Sequence, residues 1–212
     1  MIRILVINPN SDEQTQELLK AEADRFLNGR AQADVISLKS APRLVVTFED
    51  QASSTAELIE VMKAQREQYD GFVIACHGDP GLDLVREMAG GRPVWGIGQA
   101  SMRMAAAKGG FAVITPSAGI IVKKRALARK YYCEEQLKEI VVSRGNTADD
   151  LLEAGKKALE NSAVQALVLG CANYAGKAAI LEQELQVPVM DGLACALALT
   201  EAELQLREYL YH

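Results

Sequence analysis

Short apolar runs alternate along this chain with longer stretches whose apolar positions recur at helical spacing. Runs at residues 2–7, 33–38, 71–75, 94–97, 111–114, 139–142, 166–170 and 187–190 read as strands, solidly apolar rather than alternating, as strands buried on both faces are. Between them, Ser11 followed by Gln14 forms a capping-box pattern that opens a helix with Leu18, Leu19, Phe26 and Leu27 on one face, closed by Asn28-Gly29. Residues 54–68 predict a helix with Leu58, Ile59 and Met62 inward. Asp79-Pro80 offers an N-cap and a first-turn proline for a helix to Ala89. Further helices are expected from Ala100 to Ala107, up to Tyr132, from Thr147 to Glu160, up to Leu185 and from Leu193 onward. Lys39 to Asp50 has no clear period and reads as a long connection near the site. Strands alternating with helices in this way give an α/β fold with mainly parallel sheets.

The chain also repeats itself. Apolar runs ending at Cys76 and at Cys171 are each followed, 17 and 18 residues on, by Pro-Val: Pro93-Val94 and Pro188-Val189. At the same offset of 95, Gly81 maps onto Gly176. Ile7-Asn8-Pro9-Asn10 is mirrored by Ile114-Thr115-Pro116-Ser117 at an offset of 107. The expectation is two similar Rossmann-like lobes related by a pseudo-two-fold axis, residues 1–97 with 193–212 forming one and 98–192 the other, with a site in the crevice between them.

Composition narrows the function classes. The 212 residues carry a net charge of −5 and only two histidines, and are 49% hydrophobic. That balance gives no reason to expect nucleic acid or an anionic membrane as partner. No apolar run approaches the roughly 18 residues of a membrane span, and the N-terminus lacks the features of a signal peptide. A cytoplasmic location is expected. The four cysteines contain no C-x-x-C, so neither a disulfide frame nor a structural zinc site is expected.

Ligands of open α/β sheets bind beyond the carboxyl ends of the strands. Asn8 and Asn10, Cys76, Thr115 and Ser117, and Cys171 all fall at such ends. Two thiols facing each other across one crevice would suit a 1,1-proton transfer, one removing a proton and the other returning it to the opposite face, without a cofactor or metal. Each cysteine precedes a predicted helix start, where its pKa would be lowered. Mutual repulsion would leave one thiol and one thiolate. Backbone N–H groups around His77-Gly78 and Ala172-Asn173 are candidate donors to a developing enolate.

Asn8-Pro9-Asn10-Ser11, Ala75-Cys76-His77-Gly78-Asp79-Pro80-Gly81, Gly96-Ile97-Gly98-Gln99-Ala100, Phe111-Ala112-Val113-Ile114-Thr115 and Leu169-Gly170-Cys171-Ala172 resemble, in order and over nearly the whole chain, the hydantoin and allantoin racemases of the aspartate/glutamate racemase superfamily. The resemblance implies cofactor-independent racemisation of a small cyclic ureide or related amino-acid derivative, with Cys76 and Cys171 as bases. It places Asn8, Asn10, His77, Gly78, Thr115, Ser117, Ala172 and Asn173 around the substrate, and implies a homo-oligomer. The chain departs from the family pattern at Asn173, Tyr174 and Pro116 and lacks a Gly-Pro pair in 39–50, which bears on substrate identity. Alternatives of the same fold are a maleate cis–trans isomerase, an amino-acid racemase and an arylmalonate decarboxylase, the last disfavoured by the second thiol. A non-catalytic ligand-binding relative is a further alternative.

Other positions have plainer readings. Cys195 lies in an apolar helix and reads as core, and Cys133 as structural. His77 either orients Cys76 or is a bystander, and His212 is terminal. Lys123, Lys124, Arg125, Arg129 and Lys130 read as a solvated helix face. Asp79 reads as a helix cap, and Gly96-Ile97-Gly98 is too short a match for phosphate binding.

Overall fold

The computed structural model describes residues 1–211; His212 lies outside the described residues. The chain runs β1 (Arg3–Asn8), α1 (Glu13–Leu27), β2 (Gln32–Ser37), α2 (Phe48–Gln65), β3 (Gly71–Ile74), α3 (Leu82–Met88), β4 (Val94–Gly96), α4 (Ile97–Ala106) and β5 (Phe111–Thr115). It continues with α5 (Ile121–Lys130), β6 (Leu137–Val142), α6 (Ala148–Leu159), β7 (Ala166–Leu169), α7 (Ala178–Leu185), β8 (Val189–Met190) and α8 (Gly192–Tyr211).

Two four-stranded sheets result, ordered β2-β1-β3-β4 and β6-β5-β7-β8, with every pairing parallel. The repeat seen in the sequence is therefore a repeat of topology. It extends to single hydrogen bonds: Ala75 N–H to Ile7 O and Gly170 N–H to Ile114 O, both 2.8 Å, align the cysteine-bearing strands with their central neighbours. The central strands are dry. Ile4 to Ile7 and Phe111 to Ile114 are all fully buried, which is why their sequences show no alternation. Helices α4 and α8 pack on each other, α8 covering β3 and β4 and α4 reaching β7 and β8, while Trp95 Nε1 donates to Glu203 at 3.2 Å.

Several boundaries differ from the sequence reading. Helix α1 is capped by Asp12, whose carboxylate accepts from Thr15 N–H, rather than by Ser11, and its buried residues are Thr15, Leu19, Ala23 and Leu27. Leu18 and Phe26 are only half-buried. Helix α2 begins at Phe48, well before Ser54, because Thr47 and Asp50 form a complete capping box. Asp79 does not cap α3. It has φ 45, Gly81 is the N-cap residue, and the Asp79 carboxylate reaches another helix instead.

Candidate active site

Beyond the carboxyl ends of β3 and β7 lies a cavity of about 320 Å³. Cys76 and Cys171 both line it and are half-buried, whereas Cys133 and Cys195 are buried elsewhere in the core. Of the other residues expected at the site, Asn10, His77, Gly78, Ser117, Ala172 and Asn173 line the cavity. Asn8 and Thr115 do not; both are fully buried at the ends of β1 and β5. Asn8 Oδ1 and Thr115 Oγ1 are buried polar atoms without a hydrogen-bond partner, and they sit at repeat-equivalent positions. Leu44, Val45, Val46 and Pro116 add apolar wall, so the 39–50 connection does reach the site. Other hollows, beside α6 and along α7, hold neither thiol nor histidine. Among the described residues no three His, Cys, Asp or Glu side chains cluster as metal ligands.

Neither cysteine opens directly into an α-helix. Each closes one tight turn instead: Asp79 N–H bonds Cys76 O at 2.8 Å, and Tyr174 N–H bonds Cys171 O at 3.1 Å. No α-helix starts at either sulfur, since α3 and α7 begin further on, although Cys171 is the N-cap residue of a single 3₁₀ turn, Ala172–Tyr174. What remains is one backbone N–H per thiol, from Gly78 to Cys76 and from Asn173 to Cys171. Burial outweighs it. The Cys76 thiol is pushed up to about 11 and Cys171 is also raised, with the Lys124 charge pulling both back down.

Lys124 is the residue that the sequence reading misplaced. It is 4% exposed rather than solvated. Its ammonium donates to Gly170 O at 2.8 Å, to His77 Nδ1 at 2.9 Å and, at 3.4 Å, to His77 O. Burial draws Lys124 down to about 8, opposed by the thiols and Asp79. His77 is held neutral, first by burial and then by the Lys124 charge. Because Nδ1 accepts from an ammonium, the ring proton resides on Nε2, which faces Ser101 Oγ at 3.3 Å; Ser101 in turn donates to Ile97 O. The His77 ring is committed to this relay. The available signal was spacing: Lys124, Ala128 and Tyr131, at i, i+4 and i+7, are the buried stripe of this region.

Asp79 accepts from Gly98 N–H at 3.0 Å, Gln99 N–H at 2.7 Å and Tyr131 O–H at 2.5 Å. The group capping the start of α4 is therefore a side chain of the protein itself, a carboxyl that burial pushes above its ordinary range against the pull of these three donors. This accounts for Gly96-Ile97-Gly98, since a methyl on Gly96 would land on that carboxylate and one on Gly98 would come within 2.8 Å of it.

The amides on the cavity wall can be assigned by their obligate neighbours. Asn10 Oδ1 accepts from Asp12 N–H at 2.9 Å and Asn8 Nδ2 at 2.7 Å, which turns the Asn10 NH₂ outward as a donor. Thr15 Oγ1 lies 2.6 Å from Asp12 Oδ2 and 2.7 Å from the Asn173 amide. Thr15 has one hydroxyl proton, and the Asp12 carboxylate takes it, held below the usual carboxylate range chiefly by that Thr15 bond. Asn173 Oδ1, which stands at Thr15, must then exchange places with Nδ2, so that the NH₂ donates to Thr15 and the carbonyl oxygen is free as an acceptor.

Two parallel sheets of equal order with paired thiols at matching strand ends define an Asp/Glu racemase-type fold. The Asp/Glu/hydantoin racemase family matches residues 4–200, and the chain belongs to it. It is 31% identical to the hydantoin racemase of Paenarthrobacter aurescens, over 95% of this chain and 90% of that protein. It is also 31% identical to the hydantoin racemase of Pseudomonas sp. (strain NS671), over 97% and 87%. The allantoin racemase from Klebsiella pneumoniae superposes with a TM-score of 0.90 at 30% identity, covering 97% of this chain and 89% of that one. The protein is an isomerase, a racemase.

Proposed function

We propose that the protein racemises 5-substituted hydantoins by two-base 1,1-proton transfer between Cys76 and Cys171. The observation that carries this reading is that two thiols at repeat-equivalent strand ends line one cavity. One thiolate takes the proton from the stereocentre, the electron pair spreads onto the adjacent carbonyl, and the second thiol delivers a proton to the opposite face. The second sulfur is left as the thiolate, so the next turnover runs in reverse.

The walls favour a cyclic ureide over a free amino acid. A ureide edge presents N–H beside C=O, and the Asn10 NH₂ and Asn173 carbonyl offer the complementary donor and acceptor. A carboxylate substrate would want a cationic donor, and the one cation on the wall among the described residues, Lys124, already spends its N–H groups on protein acceptors. Leu44, Val45, Val46 and Pro116 suit an apolar 5-substituent. Hydantoin racemases are among the relatives that match nearly the full chain.

The test is incubation of single enantiomers of 5-alkyl and 5-aryl hydantoins, with allantoin and free amino acids beside them, in D₂O. Loss of optical rotation with deuterium entering at the stereocentre of the hydantoins is expected. Cys76→Ser and Cys171→Ser should each abolish racemisation, each retaining deuterium exchange from one enantiomer. Full racemisation by either variant would refute the two-thiol assignment, and turnover of amino acids alone would refute the ureide.

A further inference from the structure

The cation beneath the cavity calls for an explanation that packing does not supply. A buried ammonium is tolerated when paired or fully hydrogen-bonded. Lys124 has the hydrogen bonds, yet no carboxylate of the described residues lies within ion-pair distance of it. Its partners are placed with respect to the chemistry. His77 directly follows Cys76, and Gly170 directly precedes Cys171. One side chain from α5 therefore grips the strand end of each half of the site.

We infer that Lys124 is a positioning residue that acts as the fixed counter-charge of the two-thiol site, admitting one thiolate at a time and holding the two cysteine turns at a set spacing. The inference rests on the assignment of Cys76 and Cys171 as the proton-transferring pair. With both sulfurs protonated the site carries an uncompensated positive charge; with one thiolate it is neutral; with two it is negative. In a 1,1-proton transfer the negative charge passes from one sulfur to the substrate carbon and then to the other sulfur. An ammonium bonded to the neighbours of both cysteines serves each stage without moving. It is not itself a base or a substrate donor, because its three N–H directions end on His77 Nδ1, Gly170 O and His77 O.

The charged and titratable groups around it are few. Cys76, Cys171 and Asp79 favour its charge and Lys123 opposes it. Lys177 adds positive charge near Cys171, and Asp79 adds negative charge near Cys76. Asp79 is already occupied by Gly98, Gln99 and Tyr131, and His77 is neutral.

The test reads the thiols directly, so it does not depend on the substrate. Iodoacetamide labelling of Cys76 and Cys171 is followed by mass spectrometry across pH 6–10 in the full-length wild type, Lys124→Met and Lys124→Arg, with far-UV circular dichroism to establish folding. In Lys124→Met the labelling rate of both thiols below pH 8, where Lys124 is charged, should fall at least tenfold, the equivalent of more than one pH unit in thiol ionisation. Lys124→Arg, which keeps the charge, should return the rate toward that of wild type. The acid limb of the deuterium-exchange pH profile should move with it, a shift that a purely structural role would not produce. An unchanged labelling profile in folded Lys124→Met overturns the inference even if hydantoins are racemised. A shifted profile with no hydantoin turnover upholds it and overturns the substrate reading alone. If Lys124→Met does not fold, thiolate absorbance at 240 nm in the wild type decides: one thiol ionising ahead of the other three supports the inference, and four ionising together overturn it.

Discussion

Asp79 and Gly96 should behave as a single unit, and a double-mutant cycle can show it. The three heavy atoms nearest to a methyl built on Gly96 all belong to the Asp79 carboxyl group. Gly96 itself has φ −91 and ψ 144, a conformation alanine adopts without strain. Gly96→Ala should therefore be harmful only because Asp79 is present. The Asp79→Ala change leaves two N–H groups of α4 uncapped, about 1 kcal/mol for a lost cap. It also strands the buried Tyr131 hydroxyl, at about 1–3 kcal/mol. Relief of a buried carboxylate offsets part of this, for a net loss of about 1–3 kcal/mol. Gly96→Ala must push the same carboxylate off the same partners, at a similar cost. In the double variant the methyl enters space the carboxylate has vacated, so its stability should match Asp79→Ala to within about 0.5 kcal/mol.

Urea unfolding of all four proteins, followed by far-UV circular dichroism, measures the cycle. At about 2–4 °C per kcal/mol for a chain of this size, each single variant should melt roughly 2–12 °C below wild type, and the double variant no lower than Asp79→Ala. Additive losses in the double variant would refute the claim that the glycine exists to admit the carboxylate.

Two further outcomes follow from buried groups. Burial, then the Asp191 charge, pushes the Cys195 thiol up to about 12 from an ordinary 9.0. The native state thus keeps a proton that the unfolded chain sheds, and this contribution is fully present below pH 9 and is lost as pH rises toward 12. The unfolding free energy of Cys195→Ala should fall less over that window than that of wild type, by up to about 4 kcal/mol at 1.4 kcal/mol per pH unit, and parallel curves would refute it. Thr115→Val removes a buried hydroxyl that has no partner and does not reach the cavity, so it should stabilise the protein by about 1 kcal/mol and leave kcat/KM within about twofold; a destabilised variant, or one with racemisation lost, would refute this.

What was legible in the sequence is what depends on neighbours close along the chain. The central strands announce themselves because Ile4–Ile7 and Phe111–Ile114 are buried on both faces, and a doubled offset then exposes the two thiols as equivalents. The start of α2 is hidden because its signal, Thr47 with Asp50, brackets an exposed Phe48, and the apolar stripe begins later at Leu58. The proline after Asp79 marks it as a cap, and a cap it is, but for a helix whose N-terminus is brought to it by β4.

Lys124 marks the harder boundary. Lys123 and Lys124 are adjacent and chemically identical, yet Lys123 lies over the Phe48 ring at the surface and Lys124 is buried. Periodicity can identify the inward side of α5 through Ala128 and Tyr131, and it would have included Lys124 had charge not argued against it. What overrides the charge is a set of acceptors, the Gly170 carbonyl and the His77 imidazole, that come from two other segments and exist as a set only once both sheets are formed. A lysine can be buried there for the same reason that the two cysteines can share a site: the two halves meet at that point, and each contributes one side of the cradle.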